Sequence, residues 1–203
     1  MAKGDLAQMI VRPPETLTTD GLVASVQAAG VKGAPPVHLW NPPFCGDIDM
    51  RIARDGTWYY LGTPIGRAPL VKLFSSILRK EGDSYFLVTP VEKVGIRVDD
   101  APLLAVDFDQ TGHGRDQILT FTTKTDDIAA AGPRHPLRIE RQPETGEPAP
   151  YILIRSNLEA LIDRKSFYRL IELGCHEDHA GHKWFGLWSS GQFFAVIPSD
   201  ELP

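Results

Sequence analysis

The sequence predicts an α+β fold in two halves, related by a duplicated strand–strand–helix–strand–strand (ββαββ) unit. Three observations predict it. The 203 residues include 18 glycines and 17 prolines, too many punctuators for a helical bundle and enough for many turns between strands. Short apolar alternations recur along the chain, interrupted by stretches of helical spacing. The same order of elements then occurs twice.

Residues 1–16 read as a flexible arm, because Pro13-Pro14 blocks regular structure. Thr18-Thr19-Asp20 offers N-caps for a short helix lined by Leu22, Val23, Val26 and Ala29, and Gly30 stops it. Residues 31–46 read as an extended loop anchored by Trp40. Over 47–52, Ile48, Met50 and Ile52 face one way and Asp47, Asp49 and Arg51 the other, the pattern of a half-buried strand. Asp55-Gly56 turns the chain into a returning strand at 58–61. Pro69 fits the first turn of a helix with an apolar stripe of Leu70, Leu73, Phe74, Ile77 and Leu78. Strands follow at 85–88 and 94–98, then a hairpin at 103–108 and 118–123. Two further strands, 137–140 and 151–154, flank a polar loop at 142–150. Ser156-Asn157 caps a second long helix, with Leu158, Leu161, Ile162, Leu170 and Ile171 on its buried side and Gly174 at its end. Strands at 184–188 and 193–197 complete the chain.

The duplication is helix-centred. Arg67 meets Arg164 and Phe74 meets Ile171 at an offset of 97 (164 − 67), while Tyr85 meets Trp184 at 99 (184 − 85). The drift falls in a loop, where length changes are cheap. The organisation expected is therefore the arm (1–16), an N-terminal α+β domain (17–98) and a C-terminal α+β domain (99–203). The two long helices, near 67–79 and 157–174, should hold equivalent places, with Phe74 and Ile171 buried alike.

Hydrophobic residues at 42% and charged residues at 23% exclude disorder as the default state. The formal net charge of -5 argues against general nucleic-acid binding, though not against a local pocket for one anion. Two cysteines, Cys45 and Cys175, do not make a disulfide framework, and no apolar run reaches membrane-spanning length. A cytoplasmic protein is the expectation.

Cys45-Gly46-Asp47-Ile48-Asp49-Met50-Arg51-Ile52, with Gly62-Thr63-Pro64-Ile65 and Leu87-Val88-Thr89-Pro90-Val91-Glu92-Lys93-Val94, resembles the proteobacterial family called domain of unknown function 1285. His135-Pro136-Leu137-Arg138 and Tyr151-Ile152-Leu153-Ile154-Arg155 extend the match. The resemblance implies a two-part fold with a repeated motif and a C-terminal part like pleckstrin-homology folds. It also implies a site between the parts for a nucleotide-like ligand, with a role in signalling.

Asp47 and Asp49 share a strand face, where two carboxylates could divide acid and base roles and Arg51 could hold an anion. Gly62-Thr63-Pro64-Ile65-Gly66-Arg67 leads into a helix whose free N–H groups suit an anion, with Arg67 beside it. It is neither a Walker loop nor a dinucleotide fingerprint, and no cofactor is expected. Cys175, His176, His179 and His182 have ligand chemistry for zinc, but their segment reads as an exposed loop, so no metal is expected. Cys45 has no base or acid near it in sequence, and Trp58, Tyr59, Tyr60, Trp184 and Trp188 read as core aromatics. The leading expectation is a sensor or adaptor that binds a small anionic, nucleotide-like ligand between its halves. Its ligand-binding residues would be Asp49, Arg51, Thr63, Arg67, Thr89, Glu92, Lys93 and Arg138. A hydrolase using Asp47 or Asp49, and a protein–protein adaptor without a small-molecule ligand, are the alternatives.

Overall fold

A computed structural model of the chain describes residues 19–28, 35–141 and 146–201. The arm expected at 1–16, the Gly30 stop and part of the 142–150 loop lie outside the described residues.

The alternation at Ile48, Met50 and Ile52 does form a strand, β1 (Phe44–Ile52), with those three side chains buried. It begins three residues earlier than expected, after a turn of 3-10 helix at Val37–Leu39. β2 (Trp58–Tyr60) returns antiparallel to it, and the two-residue β3 (Thr63–Pro64) continues the meander. Helix α2 (Ala68–Ser76) then leads into β4 (Leu78–Glu81), β5 (Ser84–Val88) and β6 (Lys93–Val98). α2 ends earlier than its apolar stripe suggested, because Ile77 is its C-cap and Leu78 already belongs to β4. The six strands form one sheet in the order β4-β5-β6-β1-β2-β3, antiparallel except for the central pair β6 and β1. α1 (Thr19–Ala28) buries Leu22 and Val26 in the common core.

A second six-stranded sheet follows. Its strands are β7 (Leu103–Thr111), β8 (Ile118–Thr123), β9 (Ile128–Ala130), β10 (Leu137–Arg141), β11 (Pro148–Arg155) and β12 (Leu158–Ile162). Their order is β10-β11-β12-β7-β8-β9, and again only the central pair, β12 and β7, is parallel. Raising each strand number of the first sheet by six gives the second. Helix α3 (Arg164–Ile171) comes after the last strand, and a separate three-stranded sheet, β13 (Cys175–His179), β14 (His182–Ser189) and β15 (Gln192–Pro198), follows it.

This corrects the helix-centred duplication. α2 joins the third strand to the fourth inside its sheet, whereas α3 follows the last strand of its sheet and packs beside β7, where Arg169 donates to Phe108 O at 3.1 Å. The strands after α3 pair only with one another, so α2 and α3 do not hold equivalent places. Phe74 is fully buried, but Ile171 is half-buried, and Phe167 and Leu170 carry the packing of α3. The second helix was also expected too long. Residues 158–162 are strand β12, which buries Leu158, Ala160, Leu161 and Ile162 because it lies inside the molecule with both faces covered. Ser156 turns left-handed (φ 49°) rather than capping, and Asp163 caps α3 by accepting the Ser166 N–H at 2.8 Å. Residues 175–182, expected as a loop, are the β13–β14 hairpin. Gly174 before it is needed for close packing, since a Cβ there would sit 2.1 Å from the Phe185 ring.

The two sheets are linked differently across their edges. Thirteen residues, 65–77, including α2, connect β3 to β4, whereas only 131–136 connect β9 to β10. Four of those six close a turn in which Gly132 and His135 exchange backbone hydrogen bonds at 3.1 and 3.0 Å. So short a link brings the edges together, and β9 lies against β11. One apolar core runs through both units, from Leu22 through Phe74 and Phe121 to Phe194.

Candidate functional site

The expected site residues do not converge. Asp49 is exposed on β1. Arg51, on the same face, pairs with Asp99 at 2.9 Å and stacks on Tyr59 at 4.6 Å, so its charge is already engaged. Thr63 and Arg67 are exposed at the far edge of the first sheet, and the Arg67 side chain makes no capping bond to α2. Thr89 is fully buried, and its Oγ1 accepts the N–H groups of Val91 and Glu92, which makes it a turn-former. Glu92 accepts from Ser25 of α1 at 3.1 Å. Lys93 pairs with Glu81 at 3.0 Å and lies over Phe86 at 4.9 Å. Arg138 belongs to the second sheet, where it forms a fork with Glu159 at 3.0 and 2.8 Å, pairs with Glu140, and covers Tyr151. Four of these charged groups therefore hold strands or α1 in place.

Among the described residues no three metal-ligating side chains converge, at 175–182 or elsewhere. Cys45 and Cys175 are free and lie in different sheets. Burial, then the neighbouring Glu177 carboxylate, pushes the Cys175 thiol above its ordinary value, which argues against a reactive thiolate. The trough beside the third sheet, about 750 Å³ and lined by His176, His182 and Trp184, is a shallow surface feature next to the chain end.

The seam between the two six-stranded units offers more. One end is locked by Arg155 at the end of β11, which donates to Ser75 O of α2 at 2.6 Å and pairs with Asp127. Asp127 in turn accepts from Thr123 and Thr125 at 3.2 and 2.9 Å. At the other end the β1–β2 turn presses on β7, where a Cβ on Gly56 would stand 3.0 Å from that of Leu104. Beside this contact a cleft of about 680 Å³ opens between the β1–β2 turn, β11, β12 and the start of α3. Leu104, Pro148, Pro150, Leu161 and Phe167 give it an apolar wall, and Tyr168 stands beside it, 60% exposed. Arg54 and Arg164 flank it.

The acids lining this cleft are already engaged. Asp55 accepts the Thr57 N–H at 2.9 Å, and that hydrogen bond holds its carboxyl below the ordinary aspartate range. Asp163 caps α3. Glu147 faces Arg164 at 3.2 Å in a pair open to solvent. Arg54 pairs with Asp100 at 3.1 Å, and Asp100 accepts from the Tyr151 hydroxyl at 2.8 Å. Burial, then that hydrogen bond, raises the Tyr151 phenol well above its ordinary value, so it stays protonated as a donor. Beyond Arg54 a smaller cleft of about 340 Å³ continues along the seam. The cleft thus combines a size in the range of ligand pockets, an apolar wall and two arginines at its rim, one of them in a pair open to solvent. Among the residues lining this cleft there is no serine, threonine, cysteine or histidine. Sequence reasoning missed Arg54, Arg164 and Tyr168, because no local pattern joins residues from a turn in one unit and a helix in the other.

No helix of the described residues is long and apolar enough to cross a membrane. Two family models match end to end: the N-terminal domain of the domain of unknown function DUF1285 over residues 35–101, and its C-terminal domain over residues 102–196. A solved DUF1285 family protein from Silicibacter pomeroyi DSS-3 is 64% identical, with 89% of this chain and 97% of that one covered and a TM-score of 0.82. Another from Shewanella baltica OS155 is 32% identical, with 61% of this chain and 90% of that one covered and a TM-score of 0.49. No curated protein matches the chain. The chain thus belongs to the DUF1285 family across both of its domains.

Proposed function

We propose that this protein is a non-enzymatic cytoplasmic sensor or adaptor in signal transduction, which takes a small anionic, nucleotide-like ligand in the seam cleft. The second unit, a curled sheet followed by α3, would then be its pleckstrin-homology-like body. One observation carries the reading: a cleft of about 680 Å³ on the boundary of the two units combines an apolar wall with Arg54 and Arg164. The Tyr168 ring offers a surface on which a planar base could stack. Arg164 is held by the solvent-exposed Glu147, a pair worth little enough for an incoming phosphate to replace, and Arg54, itself half exposed, can turn from the partly buried Asp100, which keeps its Tyr151 hydrogen bond.

The hydrolase alternative required one deep pocket around Asp47 and Asp49. Both are exposed, and the groove that Asp47 lines does not include Asp49. A thermal-shift panel of nucleotides and related metabolites tests the proposal. A ligand at about 100 times its dissociation constant adds about 2.7 kcal/mol. The double variant Arg54→Ala/Arg164→Ala should abolish the shift while leaving the unliganded melting temperature within a few degrees. A panel that leaves the melting temperature unmoved, or a shift that survives in the double variant, overturns the reading.

A further inference from the structure

We propose that the trough beside the third sheet is a second binding site, for a neutral saccharide with one sugar ring lying against Trp184. The trough, about 750 Å³, does not share a lining residue with the seam cleft. Trp184, expected in the core, is half-buried and is not part of it. Its strand partner on β15 is Pro198, and these two side chains are the apolar part of the trough. Trp188, further along β14, shows an indole in a structural role. Its N–H donates to Glu177 at 3.1 Å, Arg115 covers its face at 5.2 Å, and Phe193 packs on it with ring centroids 5.5 Å apart. Among the described residues Trp184 has none of these, neither an acceptor for its N–H nor a ring or cation on its face. An indole with both its N–H and its face unused, beside a trough, is a platform for a ligand.

The rim decides the class of ligand. Its charged side chains without a partner among the described residues are Lys183 and Asp200, one of each sign, so neither an anion nor a cation is favoured. Glu201 is already held by Arg141 at 2.7 Å. Beyond Trp184 and Pro198 the lining is polar, so there is no pocket for the apolar side chain of a peptide. What the rim offers is hydrogen bonding in both directions. Lys183 donates, Asp200 accepts, the His182 imidazole can do both, and the Ser199 hydroxyl is held in place by His176 Nδ1 at 2.7 Å. A pyranose matches this arrangement. Its hydroxyls donate and accept around the rim, while the C–H groups of one ring face lie on the indole.

The test is an NMR titration of the full chain with cellobiose, lactose, mannobiose and chitobiose in turn, with benzoate, benzylammonium and tetraglycine in parallel. At least one disaccharide should shift the Trp184 indole N–H together with the Lys183 and Ser199 amides, and the controls should not. Trp184→Ala, outside the core, should fold normally and weaken that disaccharide by about tenfold or more, and Trp184→Phe should recover part of the loss. Asp200→Ala, at an exposed position, should weaken it several-fold, and Arg164→Ala in the seam cleft should not. No disaccharide shift at these resonances in the wild type, undiminished binding by Trp184→Ala, or a charged control binding as tightly as the sugar each overturn the proposal. A stronger shift from tetraglycine overturns it as well, by making the trough a peptide-docking surface.

Discussion

The two six-stranded units solve one problem in two ways. Each is a pair of three-stranded meanders joined so that its first and last strands lie parallel in the middle. A sheet with one apolar face must be covered. The first unit uses α2, whose Phe74 lies over Trp58 with centroids 6.3 Å apart. The second uses a short edge-to-edge link that curls the sheet on itself, and Phe121 and Phe108 fill the inside with centroids 5.6 Å apart. Strand order therefore does not dictate where a helix goes. The length of the connection between the edges does, and the helix freed in the second unit, α3, becomes available to wall the seam cleft.

The largest effect should come from the paired core truncations Phe74→Ala and Phe121→Ala, each expected to cost about 3–5 kcal/mol. Both residues belong to one core, so either truncation should lower a single cooperative transition followed by calorimetry. Two resolved transitions would show instead that the units are independent bodies.

Next is the lock between them. Arg155→Ala strips Ser75 O of its partner across the seam and Asp127 of its partner within the second unit, and should cost about 1–3 kcal/mol in urea unfolding. Arg155→Lys should recover only part of that, because an ammonium cannot reproduce the fork. Full recovery would mean that charge alone holds the seam.

The helix starts sharpen the comparison further. α3 is capped by the Asp163 side chain, whereas α2 begins at Arg67 without a side-chain cap and with proline in its first turn. Asp163→Ala should therefore cost about 1 kcal/mol, and Arg67→Ala less than about 0.5 kcal/mol. Equal losses would contradict the different capping.

The smallest effect is on pH. Hydrogen bonds from Lys93 and Arg79 depress the Glu81 carboxyl in the folded state. A depressed acid adds stability above its ordinary value, near 4.5, and loses it as pH falls through the lower folded value. Urea midpoints should thus decline below about pH 4.5, and Glu81→Gln should flatten part of that decline. A variant with an unchanged acid limb would remove Glu81 from the first sheet's outer-face network.

Much of the local structure was legible in the sequence. The alternation of Ile48, Met50 and Ile52 and the Asp55-Gly56 turn place a hairpin correctly, and Pro69 marks the start of α2. The misreadings share one cause. Leu158, Leu161 and Ile162 fit a helical stripe, but a strand buried on both faces loses its period of two and shows the same residues. Ile77 and Leu78 likewise continue the α2 stripe into the next strand. Of the expected ligand-binding residues, Thr89 proved to form a turn, and Arg51, Lys93 and Arg138 to join strands, because polar side chains on strand faces pair with whatever the neighbouring strand presents.

By itself the sequence determined the α+β class, the family and most strand faces, since these follow from contacts between residues a few positions apart. Tertiary structure alone decided that the repeat is a six-stranded sheet rather than a helix-centred unit. It also decided that Arg54 and Arg164, 110 positions apart (164 − 54), flank one cleft. Strand pairing and clefts join residues distant in sequence, and the energy that selects them comes from burying one shared core, which no local pattern records.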